Sequence, residues 1–310
     1  MKGVILVAGK GSRLYPVTKA IAKPLLPLAN RMTVEYAFDK LKECGIQEIC
    51  LVVGENEQEM RTALGDGSKF GVSLTYVVQE KPLGLANAVS YAKDFVGDDD
   101  FVLYLGDAIY SDSLRPFIDQ YKAAGAANLN LVMHVEDPRR FGVANLDGDR
   151  IVKLVEKPAV PESNWAMAAM YIFGPQLWSV LPDLKPSARG EYEITDAIQM
   201  MVDRGELVIA GKYVGDWFDT GTRESFLSTS QYLCGTDAKV DESASVSGAV
   251  GPSVVVGSGA SLECEGITNS VILPGAHVKV AGRIDGCILG GELNIDGSLQ
   301  DEIRYGDLEA

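Results

Sequence analysis

The amino-acid sequence predicts an α/β fold in which a doubly wound, mostly parallel sheet is followed by a short parallel β-helix. Unbroken aliphatic runs alternate with helical patterns as far as about residue 234, which indicates parallel strands covered by helices on both faces. After about residue 237 an aliphatic residue instead recurs near every sixth position, which is typical of a parallel β-helix. We therefore predict two domains, 1–235 and 236–310.

The α/β part begins with an aliphatic strand at residues 4–7, and a glycine-rich loop follows it directly. Apolar residues then recur at helical spacing over 34–41, and Gly45 ends that helix. Ligands of parallel sheets bind outside the carboxyl ends of the strands, so the segments after Val7 and Leu105 are candidate binding segments. The other predicted elements are strands at 49–53, 74–78 and 101–105 and helices at 55–64 and 83–95.

The C-terminal part is expected to stack short coils around an aliphatic interior. The repeat slips at 264–269, so we expect an irregular β-helix of about three or four coils. Residues 300–310 are acidic and lack the repeat, and this tail is expected either to pack as a cap or to be loose. The side chains expected to point inward are Val240, Val246, Val256, Leu262, Ile272, Val278 and Ile284.

Composition and charge argue against several classes of function. The formal charge is −15 without a basic block, so no nucleic-acid partner is predicted. No apolar run approaches the roughly 20 residues of a membrane span and no signal peptide is recognisable, so we expect a cytoplasmic protein without a membrane partner. Two histidines offer little material for a Ser-His-Asp or metal-histidine site. The scattered cysteines are interpreted as small buried hydrophobes: Cys44, Cys50, Cys234, Cys264 and Cys287.

The loop after the first strand, LVAGKGSRLYP, is the first candidate for a phosphate site. It lacks the spacing of a Walker loop, and Leu14 stands where a dinucleotide fingerprint needs its third glycine. The glycine amides can still approach an anion, and Arg13 and Lys23 supply positive charge. We interpret the loop as a polyphosphate site; the alternative is a plain tight turn with solvated charges.

Six segments along the chain form a recognisable set. In order they are GVILVAGKGSRLYPVTKAIAKPLLPLANRM, QEKPLGLANAV, YLGDAIY, FGVANLD with VEKP, SARGEYEITDAI and WFDTGT. Together they resemble the motifs of the sugar-1-phosphate nucleotidyltransferases, above all of the glucose-1-phosphate thymidylyltransferases. The long form of that family carries a left-handed β-helix after a Rossmann-like catalytic domain. The resemblance therefore implies that the predicted C-terminal β-helix of hexapeptide repeats is left-handed.

The resemblance implies a reaction in which a sugar-1-phosphate oxygen attacks the α-phosphorus of a nucleoside triphosphate and expels pyrophosphate. The expected substrates are glucose 1-phosphate and dTTP, with Mg²⁺ as cofactor. The attacking phosphate has a second pKa of about 6, so it is mostly ionised near neutrality and needs no general base. This fits the scarcity of histidine in the chain.

The resemblance also implies roles for particular residues. Arg13, Lys23, Asp107 and Asp219 would be catalytic, and the two aspartates would hold the metal ion. The expected nucleotide-binding residues are Leu6, Ala8, Gly9, Gly11, Ser12, Arg13, Gln79, Pro82, Gly84 and Asp107. The residues expected to bind the sugar phosphate are Gly142, Glu156, Lys157 and Arg189.

Several residues depart from the family pattern. Ala8 and Ala169 stand where the family usually has glycine, Pro24 where short forms have glutamine, and Ala108 where asparagine is common. Because none of these changes removes a charge or a metal ligand, they put the choice of nucleotide and sugar in question rather than the reaction.

Three alternative functions stay open at this point. The same chemistry with UTP is the nearest, and a non-catalytic nucleotide-sugar-binding or assembly subunit is the second. The third is a second, acetyltransferase activity of the β-helix using His277, which lies in a predicted turn. The β-helix itself is expected to assemble the chain into a homo-oligomer, since exposed coils are usually covered by another subunit.

Overall fold

The computed structural model describes residues 1–309, which divide into two compact units. The first unit contains Met1–Gly9 and Ala37–Trp217, and the second contains Lys10–Tyr36 and the chain from Phe218 onward. The glycine-rich loop from Lys10 onward and the segment that follows it therefore belong to the same unit as the C-terminal strands. None of the helices within the described residues is both long enough and apolar enough to cross a bilayer.

The helices and strands are numbered in chain order. The helices are α1 (Val17–Ala20), α2 (Thr33–Glu43), α3 (Glu57–Leu64), α4 (Leu85–Ser90), α5 (Lys93–Val96), α6 (Arg115–Ala124), α7 (Leu177–Val180), α8 (Ile194–Asp203) and α9 (Arg223–Cys234). The strands up to residue 219 are β1 (Lys2–Leu6), β2 (Pro27–Leu28), β3 (Arg31–Met32), β4 (Glu48–Val53), β5 (Ser73–Val78), β6 (Phe101–Leu105), β7 (Ala108–Tyr110), β8 (Asn128–His134), β9 (Gly142–Asp147), β10 (Arg150–Glu156), β11 (Trp165–Phe173), β12 (Val208–Lys212) and β13 (Trp217–Asp219). The later strands are β14 (Lys239–Val240), β15 (Ser245–Val250), β16 (Val255–Val256), β17 (Ser261–Thr268), β18 (Val271–Ile272), β19 (His277–Val280), β20 (Arg283–Asp285), β21 (Ile288–Gly290), β22 (Glu292–Ile295), β23 (Leu299–Gln300) and β24 (Ile303–Tyr305).

Nine strands form the main sheet of the first unit, in the order β5-β4-β1-β6-β11-β8-β12-β10-β9. β1 pairs in parallel with β4 and β6, and β4 pairs in parallel with β5, as predicted. β11 is antiparallel to β6 and β8, and β10 is antiparallel to β9 and β12. The prediction of a mostly parallel sheet is therefore wrong for the second half, which is mixed. One cause is a two-residue turn with Gly148 at φ 62°, because so short a turn joins only antiparallel neighbours.

Most predicted helices and buried residues of the first unit agree with the structure. α2 and α3 agree with the helices predicted at 34–41 and 55–64, whereas the helix predicted at 83–95 is divided into α4 and α5. At the division the Tyr91 and Ala92 amides donate to carbonyls three residues earlier, which is a tighter turn than an α-helix makes. Burial raises the pKa of the Cys50 thiol to about 12.

The interpretation of the cysteines holds for four of the five. Cys44, Cys50, Cys234 and Cys287 are buried, as predicted, whereas Cys264 is only partly buried. Cys264 lies in β17, where the register with β15 shifts and one strand bulges. A bulge leaves its extra residue outside the regular alternation of inward and outward side chains, which explains the partial exposure.

The C-terminal strands of the second unit stack in parallel. Five of them form a sheet in the order β14-β16-β18-β21-β24. In a second sheet, β17 pairs with β19, and partners such as Ser261 and His277 are 16 residues apart. Val256, Ile272 and Leu289 pair in succession and are fully buried. The other predicted inward residues after Val246 are also buried, whereas Val246 is half-buried.

Two predictions at the ends of this stack are wrong. Val240 is 41% exposed, because β14 is the edge strand of its sheet and no earlier strand covers it. The tail predicted to lack the repeat instead continues it, since Leu299 pairs with Ile284 and Ile303 pairs with Ile288. These two aliphatics keep the spacing of the preceding strands. Of the predicted tail, Ala310 lies outside the described residues.

We predict that Leu289→Ala lowers the free energy of unfolding by about 2–5 kcal/mol, since it opens a cavity among fully buried aliphatic side chains. Chemical denaturation followed by circular dichroism measures this change. The matched control is Leu308→Ala, because Leu308 is 45% exposed, and its effect should stay within about 0.5 kcal/mol. Equal effects of the two substitutions would contradict the stacked core.

Candidate functional site

The carboxyl ends of β1 and β6 lie side by side in the first unit. Leu6 pairs with Leu105, and the next amide, that of Gly106, donates to the Leu6 carbonyl oxygen at 3.1 Å. A Cβ on Gly106 would lie 2.5 Å from Val7 Cγ1, so only glycine permits this approach. Asp107 follows and is half-buried. The structure thus brings the predicted metal ligand of the first unit to the start of the glycine-rich loop.

Ala8 and Gly9 begin that loop and have different surroundings. The Ala8 carbonyl oxygen lies 2.9 Å from the position of a Cβ on Gly54, so Ala8 packs closely against the turn after β4. Asn56 closes the same turn, since its Nδ2 donates to the Val7 carbonyl oxygen at 2.9 Å. A Cβ on Gly9 would meet no atom within 4 Å. The Gly9 backbone is therefore open to an approaching group.

The rest of the loop lies in the second unit and packs around Gly11. Gly11 has φ 64°, and a Cβ there would lie 3.1 Å from both Lys23 Cβ and Thr18 Cγ2. Thr18 Oγ1 and the Leu14 amide both donate to the Gly11 carbonyl oxygen at 2.8 Å. Lys23 is only 9% exposed. The turn at Gly11 therefore holds the stem of a lysine that is mostly buried.

Arg13 and Asp219 converge over Gly221. Ser12 and Arg13 are exposed, and Asp219 is half-buried. A Cβ on Gly221 would lie 2.6 Å from an Arg13 guanidinium nitrogen and 2.8 Å from Asp219 Oδ1. The space above this glycine is thus filled by a cation and a carboxylate that are widely separated in sequence.

The helix that follows Asp219 has its own cap. Thr222 Oγ1 accepts from the Ser225 amide at 3.2 Å, while Ser225 Oγ accepts from the Thr222 amide at 3.0 Å. This reciprocal pair satisfies the N-terminus of α9. The N-cap residue of this helix is therefore Thr222, three residues after Asp219.

Gln79 occupies the end of β5 in the first unit. It is 8% exposed, and its backbone N–H donates to the Val53 carbonyl oxygen at 2.8 Å. Its side-chain Nε2 donates to Asn87 Oδ1 at 3.0 Å. The Gln79 side chain is therefore buried and hydrogen-bonded and does not simply point into solvent at the end of the strand. Pro82, three residues later, is exposed. Asn87 was not predicted as a site residue, although it lies within the QEKPLGLANAV segment.

Gly84 touches the segment that contains Arg189. It has φ 108°, and a Cβ there would lie 2.6 Å from the Tyr192 carbonyl oxygen. The Tyr192 amide donates to the Leu83 carbonyl oxygen at 2.7 Å, and the Ala86 amide donates to the Tyr192 carbonyl oxygen at 3.0 Å. Two predicted motifs are therefore joined backbone to backbone, and only glycine fits between them.

Glu156 is the centre of the predicted sugar pocket. Thr195 Oγ1 donates to its Oε2 at 2.6 Å. A Cβ on Gly142 would lie 3.0 Å from Thr195 Oγ1, 3.0 Å from Met167 Sδ and 3.3 Å from Glu156 Oε2. Gly142 therefore gives the carboxylate and its partner room. Thr195 was not predicted, and its position in the SARGEYEITDAI segment is the only signal for it.

Two predicted cations surround Glu156. Its Oε1 lies 3.3 Å from Lys157 Nζ and 3.5 Å from Arg189 Nη1, and Arg189 also contacts Glu191 at 2.9 Å and Glu193 at 3.6 Å. Burial, with a further contribution from the Glu156 charge, raises the pKa of Glu193. Arg189 thus contacts three carboxylates, those of Glu156, Glu191 and Glu193.

Two residues of this region have left-handed backbones although they are not glycine. Lys157 has φ 42° and Ala169 has φ 58°, and the pairing of β11 with β8 shifts between Met167 and Tyr171. Such conformations cost of order 1 kcal/mol or more for a residue with a Cβ and are concentrated at functional sites. Ala169 therefore has a left-handed backbone conformation, which glycine adopts more readily than alanine.

The third alternative function rests on His277, which the structure places in a strand. His277 begins β19 rather than lying in a turn, and it is exposed. Its Nδ1 lies 2.7 Å from Ser261 Oγ on the neighbouring strand. A shallow groove at this point is also lined by Glu263 and Lys279, which form an ion pair of 2.8 Å.

The predicted site residues therefore fall into two sets. Within the described residues, no cluster of three or more His, Cys, Asp or Glu side chains has a metal-binding arrangement. The second unit holds Gly11, Ser12, Arg13, Lys23 and Asp219. The first unit holds Leu6, Ala8, Gly9, Gln79, Pro82, Gly84, Asp107, Gly142, Glu156, Lys157 and Arg189.

Comparisons with known proteins find relatives that match most of the chain. The chain is 39% identical to the low-salt glycan biosynthesis nucleotidyltransferase Agl11 of Haloferax volcanii, over 99% of this chain and 96% of that protein. It is 34% identical to a glucose-1-phosphate thymidylyltransferase of Streptomyces griseus, over 95% of this chain and 93% of that protein. Both relatives therefore extend over the C-terminal strands as well.

A solved structure shares the fold of three quarters of the chain. The crystal structure of a proposed glucose-1-phosphate thymidylyltransferase from Bacillus anthracis, in complex with a sucrose, superimposes with a TM-score of 0.70 at 40% identity. It covers 75% of this chain and 94% of that one. Residues 2–235 also match the nucleotidyl transferase family, and this match, together with the two full-length relatives, shows that the chain belongs to that family.

Proposed function

We propose that the chain transfers a thymidylyl group from dTTP to glucose 1-phosphate, giving dTDP-glucose and pyrophosphate. The observation that carries this proposal is the convergence of Arg13 and Asp219 over Gly221. A cation beside a carboxylate suits a triphosphate that arrives with a divalent ion, because each charge on the ligand then meets its opposite. The name of the Streptomyces griseus relative supports the choice of nucleotide and sugar.

The proposed chemistry is an in-line displacement in which the chain supplies position and charge. The sugar phosphate, with a second pKa of about 6, is already a dianion and attacks without a general base. The Gly9 and Gly11 amides and the Arg13 guanidinium would hold the β and γ phosphates. Lys23 would bridge the α phosphate and the attacking phosphate. Holding two polyanions in line is the main work of such an enzyme.

Asp107 and Asp219 would hold the metal ion, which we propose to be Mg²⁺. The donor set fits this ion, because Mg²⁺ is usually bound by one or two carboxylates together with waters and substrate phosphate oxygens. The helix that follows Asp219, α9, has Thr222 as its N-cap residue. When bound, Mg²⁺ would neutralise charge on the triphosphate and on the departing pyrophosphate.

Gln79 would recognise the pyrimidine base. A side-chain amide offers both a donor and an acceptor, and Gln79 Nε2 donates to Asn87 Oδ1 at 3.0 Å. The Gly84 backbone and Pro82 would lie along the same base. Thymine and uracil share the edge that an amide reads, so this contact selects a pyrimidine. The choice between dTTP and UTP then depends on the space around the 5-methyl group.

Gly142 and Glu156 would bind the sugar hydroxyls, and Lys157 and Arg189 would bind its phosphate. Both cations now contact carboxylates, with Glu156 between them. An entering phosphate would draw the guanidinium and the ammonium away from these half-exposed pairs, which are individually weak. Thr195 would keep Glu156 oriented toward a hydroxyl through its 2.6 Å hydrogen bond.

We further propose that the parallel strands of the second unit form a left-handed β-helix. The pairing of residues 16 positions apart supports coils of that length. We propose domain bounds of 1–235 for the catalytic domain and 236–310 for the β-helix. The β-helix would assemble the chain into a homo-oligomer. We expect the enzyme to act in the cytoplasm.

A nucleotide panel tests the proposed reaction. Purified protein, glucose 1-phosphate and Mg²⁺ are incubated with dTTP, UTP, ATP, CTP or GTP, and pyrophosphate release is followed. We expect kcat/KM for dTTP to exceed that for UTP by about tenfold or more, since one methyl group is worth about 1–3 kcal/mol. A preference for UTP would make the chain a uridylyltransferase. Absence of turnover with every nucleotide would favour the nucleotide-sugar-binding subunit.

Gly9→Ala tests the triphosphate cradle. An added methyl group meets no atom of the chain within 4 Å and the backbone is not left-handed, so the melting temperature should stay unchanged. The KM for dTTP should nevertheless rise about tenfold, because the methyl group occupies the approach of a phosphate to the amide. An unchanged KM would show that no phosphate lies at Gly9.

Gly221→Ala tests the paired charges. The methyl group would force Arg13 and Asp219 apart, and we expect kcat to fall about 100-fold with little loss of stability, since both displaced groups are ends of flexible side chains. The control is Gly266→Ala, whose Cβ would meet its nearest atom at an ordinary 3.4 Å. If both variants retain full kcat, the charged pair has no part in the reaction.

A further inference from the structure

Asn30 lies in a tight turn shortly after Lys23. This turn connects β2 and β3, and both of its residues have left-handed backbones, with φ 48° at Ala29 and 61° at Asn30. This is the conformation of a type I′ hairpin turn, which asparagine tolerates well. The turn itself is therefore satisfied by the backbone and does not require the amide side chain.

The Asn30 side chain instead reaches two strands of the C-terminal stack. Its Nδ2 lies 2.9 Å from the Lys239 carbonyl oxygen in β14 and 3.2 Å from the Val256 carbonyl oxygen in β16. Both contacts lie within the second unit. They join segments that are 209 and 226 residues apart in sequence.

The orientation of this amide is determined by its two partners. Turning it over would place its oxygen against two carbonyl oxygens, which only accept hydrogen bonds. In the orientation present, Oδ1 is buried without a hydrogen-bond partner among the described residues. A buried acceptor without a partner is costly, so the two donated hydrogen bonds outweigh that cost at this position.

A second contact fastens the chain that precedes Lys23. Lys19 Nζ donates to the Glu309 carbonyl oxygen at 2.6 Å, and α1 packs against β24. The segment between these anchors contains Lys23, which is 9% exposed. The C-terminal strands therefore hold this segment from both ends, at β14 and β16 through Asn30 and beside β24 through Lys19.

We propose that Asn30 is a positioning residue for Lys23, and that it acts by fastening the phosphate-binding segment to the C-terminal strands. The effect on turnover rests on the proposed function. The fastening itself does not, because it is a property of the protein without substrates. In the transition state Lys23 would bridge two phosphates, so a small displacement should reduce kcat more than it raises KM.

The test substitution is Asn30→Asp, which keeps the size of the side chain and suits the left-handed turn. It removes both N–H donors and places carboxylate oxygens against two carbonyl oxygens. We expect kcat to fall about tenfold, with KM for dTTP changed less than threefold. The matched control is Ala29→Gly in the same turn, which should leave kcat unchanged because it breaks no hydrogen bond.

A second readout needs no activity. Lys23 is labelled with an amine-reactive acetylating reagent without substrates, and mass spectrometry compares its rate with that of Lys153, which is about half exposed. In Asn30→Asp the Lys23 rate should rise several-fold while the Lys153 rate stays constant. Equal Lys23 rates in the variant and the parent would overturn the proposal, whatever the turnover.

The two readouts separate the possible failures. Faster labelling of Lys23 together with unchanged kcat would overturn the role in positioning. Faster labelling in a protein that turns over no nucleotide would support the fastening and contradict the proposed function. If Asn30→Asp does not fold, Asn30→Gly decides by the same criteria, since glycine accepts φ 61° and lacks the side chain that donates the two hydrogen bonds.

Discussion

A chain with a formal charge of −15 and two polyanionic substrates depends on a few cations held at defined places. The structure holds each of them by a local constraint. Arg13 lies beside Asp219 over a glycine, Lys23 is packed against Gly11, and Arg189 is shared among carboxylates around Glu156. Local pairing of this kind prepares a site for anions without a basic surface, which agrees with the composition of the chain.

Other glycines permit close contacts between neighbouring segments. Gly106 lets the end of β6 approach Val7, and Gly84 lets the QEKPLGLANAV stretch lie against Tyr192. At both positions an added Cβ would come within 2.6 Å of its neighbour. The glycines quoted from the motifs therefore act mainly through the approach of neighbouring segments. Gly9 differs, since the space beside it is open to a ligand.

Much of the first unit could be predicted from the sequence, because unbroken aliphatic strands and helical spacing are local signals. β1, β4, β5 and β6 pair in parallel as predicted, and the polar residues of the motifs follow their carboxyl ends. The antiparallel half was not predicted, because aliphatic runs indicate burial and do not indicate strand direction, and the short turn at Gly148 indicates an antiparallel pair only for β9 and β10. Thr195 and Asn87 were missed because their roles consist in orienting Glu156 and Gln79, and such roles depend on tertiary contacts.

The division of the chain was the hardest feature to foresee. Residues 10–36 lie near the start of the sequence yet belong to the unit formed by the C-terminal strands. The hydrogen bonds of Asn30 span more than 200 residues, and no periodicity or motif reports contacts of that separation. Ala169 was noted as a departure from the family pattern, but only its φ of 58° shows what backbone the position demands.

The proposed reaction is attack of a sugar-phosphate oxygen on the α-phosphorus of dTTP, and oxygen labelling identifies the bonds that form and break. Glucose 1-phosphate carrying ¹⁸O in its phosphate is converted with unlabelled dTTP, and the products are observed by ³¹P nuclear magnetic resonance. We expect ¹⁸O in the bridge between the two phosphorus atoms of dTDP-glucose and none in pyrophosphate. Label in the pyrophosphate, or an unlabelled bridge, would contradict the proposed reaction.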